Sequence, residues 1–304
     1  MLKNKIFQES VDTFDIFHDN QSISSYPQTI LKKLITTLHH PIHVDKEIDL
    51  ANEKNFFMRL SIKRWYSFLN FQKKNLASVK KVISPSASSR NDICKYFDYP
   101  SKNISVIWNG INLDDCKFHR RETFNANFVT IISSDVPMKN LKTVLKAIYL
   151  LKQDGLNPKL TIIGDLREEN KNLINKLDLA NDIDYKSKLS RDELIKSLND
   201  ADIGIAPSSY EGFGFPLVEM IATGLPVIVS DKASLPELAG NAGLIFDSKD
   251  STDLKKKMKE LIENKILRNK LTENSKLRRD DFFGWDEYAK KLEDLYEEII
   301  SGNI

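Results

Sequence analysis

Residues 207–228 read PSSYEGFGFPLVEMIATGLPVI. A short β-branched run ends at Ala206, and a loop carrying Gly212 and Gly214 follows. Pro216 suits the first position of a helix, where an N–H is not needed. The stretch therefore reads as strand, glycine loop and helix, with the backbone amides of residues 215–218 at the helix start. Such a start holds unpaired donors and the positive end of the helix dipole, and so attracts anions. The two glycines let a ligand approach the backbone closely. Two carboxylates flank the loop, Glu211 before the helix and Glu219 in its first turn. Glu219 can accept hydrogen bonds from vicinal hydroxyls such as those of a ribose, and Glu211 from those of a sugar ring. Taken alone, each acid also has a plainer reading: Glu219 complements the helix dipole and Glu211 is solvated.

Strand and helix patterns alternate on both sides of this stretch. Short apolar runs lie at 128–132 (FVTII), 160–163 (LTII), 182–185 (DIDY), 203–206 (IGIA), 226–229 (PVIV) and 243–246 (GLIF). Amphipathic segments separate them. In 140–151, for example, Leu141, Val144, Leu145, Ile148 and Leu151 recur at helical spacing. The alternation predicts a parallel sheet covered on both faces, a complete doubly wound domain. In that arrangement the glycine loop lies beyond the carboxyl end of a strand, where such folds bind ligands.

The first half has fewer strands: 14–17 (FDIF), 34–38 (LITTL), 79–84 (VKKVIS) and 104–107 (ISVI). A long helical segment is expected from Leu50 to Lys81. The polar stretch 116–127 reads as the linker. The expected domains are thus 1–116, closed by a last helix at 285–304, and 117–284. In that last helix Tyr288, Leu292, Leu295, Tyr296 and Ile299 make one apolar stripe.

Composition agrees with two folded domains. The chain has 304 residues, 45 basic and 43 acidic side chains, a formal charge of +2 and 41% apolar residues. These values exclude a disordered chain and argue against a generic nucleic-acid binder. No uncharged apolar stretch is long enough to span a membrane, and the first residues carry charges where a signal peptide needs its apolar segment. Two cysteines, Cys94 and Cys116, make no disulfide framework and fit a reducing cytosol. The expected location is cytoplasmic, extending to the inner face of the membrane.

The whole string P-S-x-x-E-G-F-G-x-P-x-x-E strongly resembles the family-four retaining glycosyltransferases, with Glu211 and Glu219 as the acids of an E-x7-E motif. The resemblance continues through Asn109-Gly110, Lys139-Asn140, Ile163-Gly164-Asp165, Ala201-Asp202, Gly224, Pro226 and Ser234-Leu235-Pro236-Glu237. It implies an α/β chain of GT-B fold, with two Rossmann-like domains built on parallel sheets. It implies transfer of a sugar from a nucleoside-diphosphate sugar to a hydroxyl of a glycan or lipid-linked acceptor, with retained configuration. Glu219 would hold the ribose. Glu211, Gly212, Phe213 and the turn Gly214, Phe215, Pro216 and Leu217 would hold the sugar and diphosphate, with Ser133, Gly164 and Asp165 lining the donor site. Lys139 would meet the charge that builds on the leaving phosphate; its plainer reading is a solvated lysine at a helix start. His39 would border the donor sugar, and His18 is a second cleft candidate. GT-B enzymes generally hold the diphosphate without metal, so neither cofactor nor metal is expected.

Five features depart from the family or leave readings open. Family members usually carry an Arg about five residues before the Lys, but here Ser133-Ser134-Asp135 stands there. The family's opening strand and Gly-rich loop do not precede FDIF. The N-terminal domain therefore reads as incomplete, and the alternative function is a donor-binding subunit completed by a partner chain. The stretch 39–45 (HHPIHVD) invites a metal reading, yet adjacent strand residues face opposite ways and Pro41 breaks helical spacing. Asp182-Ile183-Asp184 mimics a metal motif but alternates like a strand. Finally, residues 58–81 hold seven Lys or Arg and no acid, with Met58, Ile62, Trp65, Leu69, Leu76 and Val79 near helical spacing. This is either a core-packed helix with a solvated basic face, a site for an anionic acceptor, or a contact with anionic lipid through Trp65, Tyr66 and Phe68.

Overall fold

The computed structural model describes residues 11–21, 26–133 and 135–302. The first ten residues and Ser134 of the preceding reading lie outside the described residues. The chain forms two compact units, residues 1–110 with 285–304, and residues 111–284. The division falls at Gly110/Ile111 instead of Cys116/Lys117. The reason is electrostatic: residues 111–126 are bound into the second unit. Arg279 Nη2 donates to Leu113 O at 3.0 Å, and Arg191 Nε donates to Asp115 at 3.2 Å. Arg121 donates to Leu198 O at 2.8 Å and also to Ala201 O.

In the first unit, strands β1 (Phe17–Asn20), β2 (Leu34–Thr37), β3 (Lys81–Ser84) and β4 (Ile104–Val106) form a parallel sheet in that order. The first strand starts at Phe17, three residues later than FDIF suggests, and pairs Phe17 with Leu34. Side chains alternate across the sheet. Leu34 and Val82 face one layer, packed with helices α1 (Gln28–Leu31), α4 (Leu69–Leu76) and α5 (Ala87–Phe97) through Leu31, Leu76, Ile93 and Phe97. Ile35 and Ile83 face the other, against Leu295 and Ile299 of the last helix, α13 (Trp285–Ile300).

The single long helix expected from Leu50 to Lys81 is instead α2 (His43–Asn52), α3 (Phe56–Trp65), a 3-10 turn (Tyr66–Phe68) and α4. Asn55 restarts the chain by capping the amides of Phe57 and Met58. The 3-10 turn shifts the helical phase, so Leu69 and Leu76 are buried while Met58 and Trp65 are exposed. The one-face stripe does not survive that turn.

In the second unit, strands β5 (Asn127–Ile131), β6 (Lys159–Ile163), β7 (Ile183–Lys186), β8 (Ile203–Ala206), β9 (Val227–Ser230) and β10 (Gly243–Phe246) form a parallel sheet of order β10-β9-β8-β5-β6-β7. The chain runs outward from β5 to β7, returns to place β8 beside β5, and continues the other way. The strand order therefore reverses between β5 and β8. Ligands in doubly wound folds bind just outside the carboxyl ends at such a reversal. One face is sealed by α6 (Leu141–Gln153) and α11 (Ser251–Glu263), whose Val144, Leu145, Ile148, Leu254 and Met258 pack on Phe128, Ile203 and Ile228. Between β6 and β8 lie α7 (Glu168–Lys176) and α8 (Arg191–Asn199). Helix α9 (Phe215–Ala222) follows β8, α10 (Leu235–Ala239) follows β9, and α12 (Lys265–Arg279) closes the unit.

Candidate functional site

The reversal point brings together the loops after β5 and β8. The first loop ends in a 3-10 turn (Pro137–Lys139). The second runs through Ser208 and Ser209 to the glycines. They are stitched together: Ser209 N donates to Met138 O at 2.8 Å, and Asn140 Nδ2 donates to Pro207 O at 3.0 Å and Ser248 O at 2.8 Å. Asn140 adopts the left-handed conformation, φ 54°, which suits Asn and aims its amide at both carbonyls.

On this frame Lys139 Nζ meets Glu211 Oε1 at 2.6 Å, and Ser208 Oγ donates to the same oxygen at 2.8 Å. The two charged side chains are 14% and 19% exposed, so water screens the pair only weakly. Oε2 of Glu211 has no protein partner among the described residues. Glu219 shows the same pattern. Its Oε1 accepts from Arg191 Nη1, and its Oε2 has no hydrogen-bond partner among the described residues. Arg191 also reaches Asp115 and donates through Nη2 to the Cys116 sulfur at 3.2 Å. Burial, then the neighbouring Glu219 carboxylate, pushes the Cys116 thiol up to about 11.

The helix start is tighter than its sequence suggests. Gly214 sits at φ 108°, a conformation that disfavours a side chain, and a Cβ there would meet Leu235 at 3.2 Å. The amides of Leu217 and Val218 turn back onto Gly214 O at 3.0 and 3.2 Å, and Pro216 has no N–H. Of the four residues 215–218 read as anion donors, Pro216, Leu217 and Val218 therefore offer no spare amide. Leu217 and Phe213 are buried, at 1% and 4%, and serve packing; Phe215 is exposed and lies edge-on to Phe213. Ser234 Oγ holds the loop by donating to Glu211 O at 2.9 Å and to Phe213 O.

Gly164 and Asp165 follow β6. A Cβ on Gly164, φ 134°, would stand 1.5 Å from Ile132 O, so the residue lets the ends of β5 and β6 touch. Asp165 and Ser133 are exposed. Asp135, where the family's Arg region lies, is buried and structural: its carboxylate accepts from Arg167 N at 2.9 Å and Asn170 Nδ2 at 2.7 Å.

His39 belongs to the first unit. Its Nε2 pairs with Asn20 Oδ1 at 2.8 Å, and burial, then His40, holds its pKa below the ordinary value. His18 bonds Thr37 Oγ1 at 2.8 Å and the Tyr296 hydroxyl. The histidines of 39–45 point to separate partners: His40 pairs with Asp45 at 2.8 Å, and His43 stacks on Tyr96. Asp182 is occupied by Lys152 and Lys159, both at 2.9 Å.

Sequence reasoning missed Arg191, Asp115 and Cys116. Ser190-x-x-Glu193 forms a capping box that places Arg191 at the start of α8. No local pattern tells that its guanidinium reaches Glu219, 28 residues on.

Comparison with known proteins agrees with this geometry. The glycosyl transferases group 1 family matches residues 116–278, more than half of the chain, and Glycosyltransferase Family 4 matches residues 1–115. The MMP alpha-(1->4)-mannosyltransferase of Mycolicibacterium hassiacum is 29% identical over 297 residues, covering 95% of this chain and 71% of that protein. Among solved structures, sucrose-phosphate synthase from Thermosynechococcus elongatus superposes with a TM-score of 0.75 at 17% identity, covering 97% of this chain and 77% of that one. Anabaena HepE in complex with UDP gives 0.70 at 16% identity, covering 97% and 81%. These structures share the fold.

Proposed function

The chain belongs to the glycosyl transferases group 1 family, and we propose that it transfers a hexose from a nucleoside-diphosphate sugar to a hydroxyl of a growing glycan, retaining the anomeric configuration. It is a glycosyltransferase of GT-B fold. One observation carries the finer reading: two acids at the strand-order reversal each have one oxygen held by a cation and the other open. Glu219 Oε2 is available to a ribose hydroxyl and Glu211 Oε2 to a sugar hydroxyl. Lys139 stands between the β5 and β8 loops, where departure of a diphosphate would build negative charge. A preorganised ammonium there lowers the barrier because the charge develops in a weakly screened site. The Gly214 amide adds a donor at the helix start. The diphosphate is held by these groups without a divalent cation.

The mannosyltransferase name of the relative and the UDP of the HepE structure support a nucleotide-sugar donor and a glycan acceptor. The test is calorimetry of the whole chain with UDP, GDP and ADP, then transfer assays with the sugar forms of the nucleotide that binds, with and without EDTA. NMR of the product anomer reads the stereochemistry. No nucleoside diphosphate binding, or binding indifferent to Glu219→Ala, would sink the site assignment. An inverted anomer would remove retention alone, and a rate abolished by EDTA would remove the metal-free diphosphate site alone.

A further inference from the structure

Among the α-helices of the described residues, only α3 buries none of its residues. It is nevertheless apolar around much of its circumference. Phe56, Phe57, Met58, Leu60 and Trp65 are 69, 79, 53, 52 and 74% exposed. Phe68 and Phe71 continue the exposure at 38 and 46%. Seven of the fifteen exposed large apolar side chains of the described residues thus fall within 56–71. Scattered exposed apolar residues are ordinary; a cluster of this density marks a surface that something covers.

The cluster stands on a firm base. Tyr66 is buried and donates to Asp49 Oδ2 at 2.7 Å, Leu69 is 2% exposed, and Arg59 Nη1 donates to Glu53 O at 2.9 Å and to Leu50 O. The turn therefore holds the aromatic side chains outward.

Charge identifies the occupant. Residues 54–81 hold eight Lys or Arg and no Asp or Glu, within a chain whose net charge is only +2. Lys54, Lys63, Arg64, Lys73 and Lys74 are exposed among or beside the aromatics. A protein-binding face rich in Phe and Trp is usually depleted of Lys, because each ammonium must be desolvated. A bilayer surface imposes no such cost. Aromatic rings enter the headgroup boundary while Lys and Arg remain in water beside anionic phosphates.

We propose that residues 56–71, with the lysines and arginines around them, dock the protein on an anionic lipid bilayer. The apolar side chains supply insertion and the basic ones supply selection for negative headgroups. No helix of the described residues is long and apolar enough to cross a membrane, so this contact lies in the surface plane.

The experiment is sedimentation of the whole chain with vesicles of mixed phosphatidylcholine and phosphatidylglycerol, against vesicles of phosphatidylcholine alone. Binding is expected to the anionic vesicles only, and to weaken as salt is added. The exposed triple variant Phe56→Ser, Phe57→Ser, Trp65→Ser should lose binding by at least about tenfold while its thermal midpoint is unchanged. Lys63→Glu with Arg64→Glu should lose it at low salt. Trp65 emission should shift to the blue on vesicle addition, and Trp65→Phe should abolish that shift. No binding to anionic vesicles at low salt overturns the proposal. So does equal binding by the triple variant. A concentration-dependent dimer that the triple variant abolishes, without vesicle binding, would assign the surface to a second copy of the chain instead.

Discussion

The guanidinium of Arg191 donates to the carboxylate of Glu219 while also reaching Asp115 and the sulfur of Cys116. One cation thus holds one acid and ties the segment after Gly110 to the end of the site proposed for the nucleotide. Arg191→Ala removes that support and leaves Glu219 to swing. Loss of a hydrogen bond to a charged group predicts nucleotide binding weaker by about ten- to a hundredfold. Arg191→Lys should recover little, because an ammonium cannot span three acceptors in one plane. Calorimetry with the cognate nucleoside diphosphate checks both; unchanged affinity in Arg191→Ala would exclude a positioning role.

Lys139 and Glu211 should separate rate from binding. Lys139→Ala removes the positive charge proposed to meet the leaving phosphate, and kcat is expected to fall by about a hundred- to a thousandfold. Glu211→Gln keeps the size and loses the ion pair, so kcat falls while nucleotide affinity changes little. Steady-state kinetics beside calorimetry measures the split. An equal loss in affinity and rate for Glu211→Gln would place this residue on the nucleotide instead of the sugar.

Gly164→Ala is expected to damage the second unit. A methyl group 1.5 Å from Ile132 O cannot be accommodated unless the ends of β5 and β6 part. The cost should reach about 4 kcal/mol, in the class of severe backbone conflicts. Thermal unfolding reads it; a midpoint like that of the unchanged chain would contradict the close approach.

Acid should weaken the first unit. His43 is stacked on Tyr96 with centroids 5.2 Å apart and edge-on to Phe97, and its Nδ1 is buried without a partner among the described residues. Burial, then the charges of Lys46 and Lys73, holds its pKa below 6.5. The unfolded chain therefore takes up protons first as pH falls. Stability is complete above pH 6.5 and is lost as pH drops from there through the lowered folded value. His39 adds to the same trend. His43→Phe should flatten the decline in thermal midpoint; an identical decline would assign it elsewhere.

The two thiols should differ. Cys116 is fully buried with its pKa near about 11, whereas Cys94 is half-buried. Alkylation at neutral pH should label Cys94 first and Cys116 only on unfolding, because the thiolate is the reactive form. Peptide mapping distinguishes them, and early labelling of Cys116 would show that the Arg191 cluster opens.

Much of the second unit is legible in sequence because its strands are short β-branched runs between amphipathic helices. The burial pattern of 203–206 and 227–230, closed on both faces, matches what IGIA and PVIV suggest, the second strand lying one residue later than read. Glu211, Glu219 and Lys139 were legible as candidates because glycine, proline and acid spacing is local. The contribution of Arg191 was not, since the residues it joins span 115–219 and meet only through the sheet. The contact division at Gly110/Ile111 differs from the linker reading for a related reason: polar residues 111–126 resemble a linker until their arginine partners are known. In the first unit, helical periodicity across 58–79 concealed the 3-10 turn, and spacing alone cannot tell a core stripe from an uncovered one.

The reversal of strand order between β5 and β8 also sets when the site can exist. Lys139 and Glu211 are 72 residues apart, and everything laid down between them must first fold outward and return. A chain stopped before β8 would contain the lysine, the glycine after β6 and the three helices α6, α7 and α8, yet not the acid that the lysine meets. Closing so long a loop is slow relative to local structure formation. Ligand recognition should therefore be among the last properties to appear on refolding, a late event that certifies the second unit as finished.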